Sequence, residues 1–357
     1  MQNLNRRRLQ PLISSAWLGL PALIAVLLYL PTLRAGFVWD DGIWLVDLPQ
    51  YRDPALAWGT LVQPFALSPN YYRPVALLTV LAELRLVGLN PAVFHLTNTL
   101  LHALNTLLVT LLAGRLVRQW PGETSTPRWR SGSLLAGLLY GIHPVLVEGA
   151  AFVSGRFDLL MTTFLLVALW VDTGARAGPG ASLARRLWRP LVIAGLVMAA
   201  ALAKEMGLAV LVVWPLWRLA SAGDWKSQQP LPSLPAQAAW GRRLAALAVG
   251  ILPVVVGLMG AVAVRYAVLG YIFLSNTGRQ IDVGGIVSHG LLVARALVTY
   301  VSLALWPFTS LAPIHYSALP APVGDVTAWL ALAAALLLIT ALVVWGRRGP
   351  GLSLIHI

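Results

Sequence analysis

Residues 91–114 read PAVFHLTNTLLHALNTLLVTLLAG, without a single charge. A helix needs about 20 largely apolar residues to cross the hydrocarbon core of a bilayer, and this run is long enough. It is not evenly apolar. His95, Asn98, His102 and Asn105 recur at i, i+3, i+7 and i+10, so they share one helix face. Polar groups in hydrocarbon need partners inside the protein. The stripe therefore faces other helices, and the stretch predicts one spanning helix packed within a bundle.

The rest of the chain repeats the pattern. Other uncharged runs lie at 9–33, 131–147, 244–264, 296–324 and 326–346, with shorter ones at 159–171, 190–203 and 206–217. Charged residues make up 11% of the 357-residue chain and hydrophobic ones 58%, against roughly 25% charged in a soluble domain. A β-barrel would alternate over segments of about ten residues; these runs are continuous. The predicted fold is all-α, a polytopic transmembrane helical bundle.

Eight spans are expected, near 10–33, 91–114, 131–147, 157–172, 190–203, 206–220, 244–266 and 325–346. Residues 289–308 are read as an interfacial or re-entrant helix. The first run follows Arg6–Arg8 and exceeds the 7–15 apolar residues of a signal peptide, so it is read as an uncleaved helix. Residues 34–90 form a long first loop rich in Pro and aromatics. Its tail, Val75–Val87, suits an amphipathic helix on the membrane surface. The membrane module is taken as 1–350. The last residues, Leu352–Ile357 (LSLIHI), read like translated sequencing-library adapter, and a C-terminally truncated frame is expected.

The chain has 26 basic and 13 acidic residues and no cysteine. Disulfides, thiolate catalysis and cysteine metal sites are excluded. A net charge of +13 raises nucleic acid as a partner, but its distribution argues otherwise. Arg6–Arg8, Arg115–Arg130, Arg176–Arg189, Arg218–Arg243 and Arg347–Arg348 fall in alternate loops, the positive-inside pattern. The remaining loops then face outward and hold Asp40, Asp41, Asp47, Asp53, Glu148, Asp158, Lys204, Glu205 and Asp282. The partner is a lipid bilayer, not nucleic acid. Arg outnumbers Lys 24 to 2, a GC-rich bias that favours a bacterial inner membrane, with the acidic face toward the periplasm (the ER lumen in a eukaryote).

Several outer-face groups carry chemistry. In Arg34–Gly42, RAGFVWDDG, Asp40 and Asp41 emerge just past the first span. One carboxylate there can take a proton from a hydroxyl, and a second can orient it or hold a divalent cation; a solvated, helix-capping aspartate is the plain alternative. Arg73, before Pro74, can meet a phosphate at a helix N-terminus or snorkel from an aromatic belt. In His143–Leu160, HPVLVEGAAFVSGRFDLL, Arg156 is flanked by Glu148 and Asp158. It can hold a phosphate or close a hairpin through a structural Arg–Asp pair. His143 suits a hydrogen-bonding cap better than a metal ligand. Lys204-Glu205 read as a phosphate-binding cation or as a local ion pair. His95 and Asn98 lie near enough the outer surface to touch substrate. No phosphate-binding glycine loop, dinucleotide fingerprint, zinc-protease motif or nucleophile elbow occurs.

Taken in order, FVWDD, YYRPV, NPAVFHLTNTLLHAL, GIHPVLVEGAAFVSGRFDLL and LAKE resemble the membrane half of the transmembrane and tetratricopeptide-repeat O-mannosyltransferases and their bacterial relatives. That family is in the GT-C class, with the protein O-mannosyltransferases. The resemblance is strong from Phe37 to Glu205 and weaker over Tyr300–Tyr316. It implies a GT-C-like bundle, a polyprenyl-phosphate-linked sugar as donor with mannose favoured, and a hydroxyl on protein or glycan as acceptor. It implies inverting transfer at the outer face, with Asp40 as base and Asp41 beside it. It carries the family's H-P-V-x-x-E onto His143 and Glu148, and its R-x-D onto Arg156 and Asp158. The family's repeat domain has no counterpart in these residues. A transporter or flippase of lipid-linked sugars is the competing expectation. It would need polar residues continuing to the basic side of the spans. A non-catalytic scaffold leaves the one-sided acids unexplained.

Overall fold

The computed structural model describes residues 17–118, 126–174, 182–220, 236–272, 285–309 and 323–348. The LSLIHI segment lies outside them, as does most of the Ser-, Gln- and Pro-rich stretch 221–241 that reads from sequence as a cytoplasmic linker; its last residues, 236–241, instead begin a helix. The described residues are mostly helical, with no strand among them. The longer helices are α1 (Leu20–Tyr29), α2 (Pro74–Val87), α3 (Pro91–Arg118), α4 (Thr126–Gly141), α5 (Arg156–Asp172), α6 (Leu183–Ala203), α7 (Val210–Ala220), α8 (Ala236–Leu269), α9 (Ile286–Leu305) and α10 (Val326–Arg348). Proline at the start of α1, α2 and α3 suits a first turn whose N–H groups have no helical partner.

Six segments are long and apolar enough to cross a membrane: Trp17–Arg34, Pro91–Arg118, Val153–Asp172, Leu183–Ala203, Val249–Leu269 and Ile286–Leu305. The broken pair Arg130–Gly141 plus Pro144–Ala151 makes a seventh if counted as one. The protein is therefore an integral, multi-pass membrane protein. Two expectations change. The segment read as interfacial, 289–308, is long and apolar enough to cross. Residues 206–220 fall short, because a 3₁₀ turn, Glu205–Ala209, leaves α7 only eleven residues. Even so, Lys204 binds Asp158 at the start of α5 and Arg218 binds Asp172 at its end. Residues 204–218 thus run the same length as α5, about 21 Å at 1.5 Å per residue.

The chain forms two compact units, residues 1–142 with 146–274, and residues 143–145 with 275–357. In the first, α3 is the central helix. Its polar stripe is buried and bonded to neighbouring backbone. Asn98 donates to the Phe152 and Val153 carbonyls, Asn105 to Leu159, and His102 Nε2 lies 3.0 Å from the Gly141 carbonyl. These contacts hold α4 and α5 against α3. Small residues bring backbones close elsewhere: a Cβ on Gly257 of α8 would sit 2.3 Å from the Ala194 carbonyl of α6.

The two ends of this unit differ in charge. At one end Arg115 bonds the Trp170 carbonyl, Arg189 bonds those of Val171 and Asp172, and Arg218 pairs with Asp172. These cations sit where the α5 C-terminus leaves carbonyls unsatisfied. The acids of the first loop gather at the opposite end, as the alternation of basic loops predicted.

In the second unit, Arg295 in the middle of α9 pairs with Asp325 at 2.8 Å. Asp325 also accepts from Thr327 at the start of α10. Leu291 of α9 packs on Ala328 of α10. The two helices are therefore staggered, α10 beginning beside the middle of α9.

The first loop is no loose linker. Trp44, Tyr51 and Phe65 pack with Ala76, Leu77, Val80 and Leu81 of α2, Phe94 of α3 and Phe157 of α5. One correction follows. Glu83, expected on the polar face of a surface helix, is buried and pairs with the fully buried Arg156. Asn98 accepts from Arg156 Nε at 3.0 Å and the Phe94 carbonyl from Nη2 at 3.1 Å. Removing one partner of such a pair strands a buried charge, which destabilises by about 3–5 kcal/mol. Arg156→Met is expected to lower the unfolding temperature in detergent sharply. Glu83→Gln combined with Arg156→Met is expected to recover much of the loss, as read by thermal unfolding of both variants.

Candidate active site

The acid pair is divided by its backbone. Trp39 has φ +49°, and Asp41 opens a π-helical turn, Asp41–Val46. Such turns are rare and frequently fall at functional positions. This geometry sends the two carboxylates different ways: Asp40 is exposed, whereas Asp41 is fully buried.

Asp41 reaches into the segment before α5. Its Oδ1 accepts from the Ser154 backbone N–H at 2.9 Å and from Ser154 Oγ at 2.5 Å, and its Oδ2 accepts from Val38 N–H at 3.4 Å. Ser154 Oγ in turn accepts from Trp44 Nε1 at 2.9 Å. Burial pushes the Asp41 carboxyl above its ordinary 3.8, against the hydrogen bonds from Ser154, Val38 and Val153 that lower it. One step back, Trp39 meets Phe152 edge to face at 5.8 Å. Residues 39 and 41 are thus tied to 152 and 154 in the same order. Asp40, between them, has no side-chain hydrogen bond to the described residues.

The other predicted groups form crossed pairs, not local ones. Lys204 binds Asp158 at 2.6 Å, and Arg73 binds Glu205 in a fork at 2.8–3.1 Å. The local Lys204–Glu205 pair and the Arg156–Asp158 pair, both open on the sequence, do not form. Arg73 also lies over the ring of Tyr71 at 4.2 Å and that of Phe157 at 5.1 Å. The Lys204–Asp158 pair is open to solvent, its side chains 25% and 43% exposed.

Asp41, Ser154, Asp158, Lys204, Arg73 and Glu205 therefore share the start of α5. Ser154 and Asp158 are four residues apart, about 6–8 Å along the chain. Two expectations change. Arg156 has no exposed surface and its donors go to Glu83, Asn98 and Phe94, so its guanidinium is not offered to a phosphate. His95 is buried, its Nε2 3.2 Å from the Gly36 carbonyl; it holds the start of the loop and does not line an open site. Glu148 is exposed and has no ion pair in the described residues. His143 groups with the second unit, where Nε2 lies 3.1 Å from the Ala304 carbonyl, the capping role. No cluster of three His, Asp or Glu side chains suited to a metal occurs among the described residues. Ser154, Trp44 and Glu83 were missed. Glu83 alone left a signal, as an acid in an otherwise apolar helix.

No protein-family model matches the chain, and no solved structure matches it. Curated proteins do. The chain is 31% identical over 191 residues to the mouse protein O-mannosyl-transferase TMTC3, covering 51% of this chain and 19% of that protein. It is 30% identical over 239 residues to human protein O-mannosyl-transferase TMTC1, covering 61% and 26%. It is 31% identical over 201 residues to Drosophila melanogaster protein O-mannosyl-transferase Tmtc1, covering 53% and 21%. These are homologues, and the chain spans about a quarter or less of their length.

The buried Asp41 makes stability depend on pH with a definite sign. Its folded pKa is raised, so the fold favours the neutral carboxyl. The stability this gives is present below the unfolded pKa and lost as pH rises through the folded value. Asp41→Asn removes that titration. The stability of the natural protein relative to Asp41→Asn is expected to rise as pH falls from 7 toward 4. Unfolding temperatures of the two proteins across that range check it.

Proposed function

We propose that this chain is a membrane-embedded GT-C glycosyltransferase. It moves a sugar, mannose first among candidates, from a polyprenyl-phosphate donor to a protein hydroxyl at the outer membrane face, with inversion. The carrying observation is the division of labour in the acid pair. Asp41 is locked to Ser154, Asp40 is held exposed beside it, and Ser154 lies four residues before Asp158, the partner of Lys204.

The chemistry asks for little more. A sugar on a lipid phosphate already has a good leaving group. Asp40 takes the proton from the acceptor hydroxyl. The oxygen attacks the anomeric carbon on the face opposite the phosphate, and the carbon–oxygen bond to phosphate breaks with its electron pair leaving on phosphate. A cation must meet that charge. Lys204 suits this, because a partly exposed ion pair contributes little stability and can exchange its carboxylate for phosphate. Arg73 adds positive charge behind it. Arg156 has another part: paired with Glu83, it sets the height of the segment that anchors Asp41.

Homologues named protein O-mannosyl-transferases support transfer to protein. The one-sided basic loops support an outward-facing site, and the bias of composition supports a bacterial inner membrane. On α3, Asn98, His102 and Asn105 of the buried stripe bond neighbouring backbone, which speaks against a polar path of the kind a flippase would use.

Membranes containing the protein, incubated with labelled polyprenyl-phosphate sugars, are expected to yield glycosylated protein with at least one of them. Asp40→Asn is expected to lower the rate by about 10²–10⁴-fold while the protein still inserts and folds. Full activity in that variant would remove Asp40 as the base. Label crossing the bilayer without covalent transfer would favour transport.

A further inference from the structure

Trp39 has no part in the chemistry above, yet its position is unusual. Its φ of +49° lies in the left-handed region, where a bulky side chain is a genuine outlier. Backbone held this way persists only where surrounding contacts over-determine it, and it gathers at ligand sites. Here the contacts are evident. The ring meets Phe152 at 5.8 Å, edge to face, and Asp41 is bonded to Ser154 two residues on. The result is an indole that is 58% exposed immediately before the exposed Asp40. Trp44, one turn away, is fully buried and packed by Tyr51, Phe65 and Phe157. The loop had a core available for an indole and used it for Trp44, not Trp39.

A flat, rigid, electron-rich face beside a carboxylate suits one ligand class. The C–H bonds on one side of a hexopyranose ring are weakly positive and pack on an aromatic face, while its hydroxyls stay free to bond carboxylates. Aromatic faces attract such edges through their quadrupole. We infer that Trp39 is the platform on which the transferred sugar stacks, placing its anomeric carbon near Asp40. This deepens the transferase reading and rests on it. The competing use of an exposed Trp is an anchor at the membrane–water interface, and the two differ in what they need. A platform needs a ring; an anchor needs only apolar bulk.

Three variants separate them: Trp39→Phe, Trp39→Leu and Trp39→Ala. All retain a Cβ and so share the same backbone strain. The assay is transfer from labelled short-chain polyprenyl-phosphate mannose by purified full chain in detergent, with kcat and KM resolved. Loss of one aromatic contact corresponds to roughly a three- to tenfold change. The expected result is a donor KM raised by about that factor in Leu and Ala, with Phe near the natural protein and kcat moving less than KM. Leu matching Phe overturns the platform in favour of an anchor. A fall in kcat at unchanged KM overturns it in favour of a loop-shaping role. Absence of transfer by the natural protein from every sugar in the panel sinks the transferase reading instead, so the two failures are told apart.

Discussion

The ion pair between Glu83 and Arg156 holds the site together. A guanidinium with no exposed surface is tolerable only when its charge and its donors are met. Glu83 supplies the charge, and Asn98 and the Phe94 carbonyl take further donors. One arginine therefore joins the loop helix α2, the central helix α3 and the first residue of α5. The segment just before α5 is the one that receives Asp41. If Arg156 moved, Ser154 would move with it, and the acid pair would lose its footing.

Charge pairs at this end of the bundle come in two kinds that differ in exposure. Glu83–Arg156 is sealed from solvent and specifies position. Lys204–Asp158 is wet, and Arg73–Glu205 lies between the two. A wet pair stabilises little and leaves both of its groups open to solvent. Drawing Arg156 away from Glu83 would strand a carboxylate in an apolar core. The sealed pair fixes the segment before α5, and the wet pair lies at the start of the same helix.

The opposite end shows the same economy of charge. Arg115, Arg189 and Arg218 converge on the last turn of α5, where carbonyls and Asp172 await them. Clusters that serve as orientation signals in the sequence are also helix caps in the fold. α5 is thus fixed at both ends by charge, and the shorter α7 follows it between the same two levels.

Much was legible in the sequence because membranes simplify the problem. Uncharged runs near the length of a bilayer, a polar stripe at helical spacing and the alternation of basic loops determined an all-helical, multi-pass fold. The order of short motifs singled out Asp40, Asp41, Arg73, Asp158, Lys204 and Glu205. What only tertiary structure decided was who meets whom. Adjacent residues such as Lys204 and Glu205 looked like natural partners, but side chains from one turn point in different directions, and each found its counterpart in another element. Residue type alone left Asp40 and Asp41 interchangeable, and only the resemblance ranked them; a left-handed Trp39 and a π-helical turn made one exposed and the other buried. Glu83 and Arg156, far apart in the chain, became the central pair because a buried charge must find its opposite wherever the fold places it.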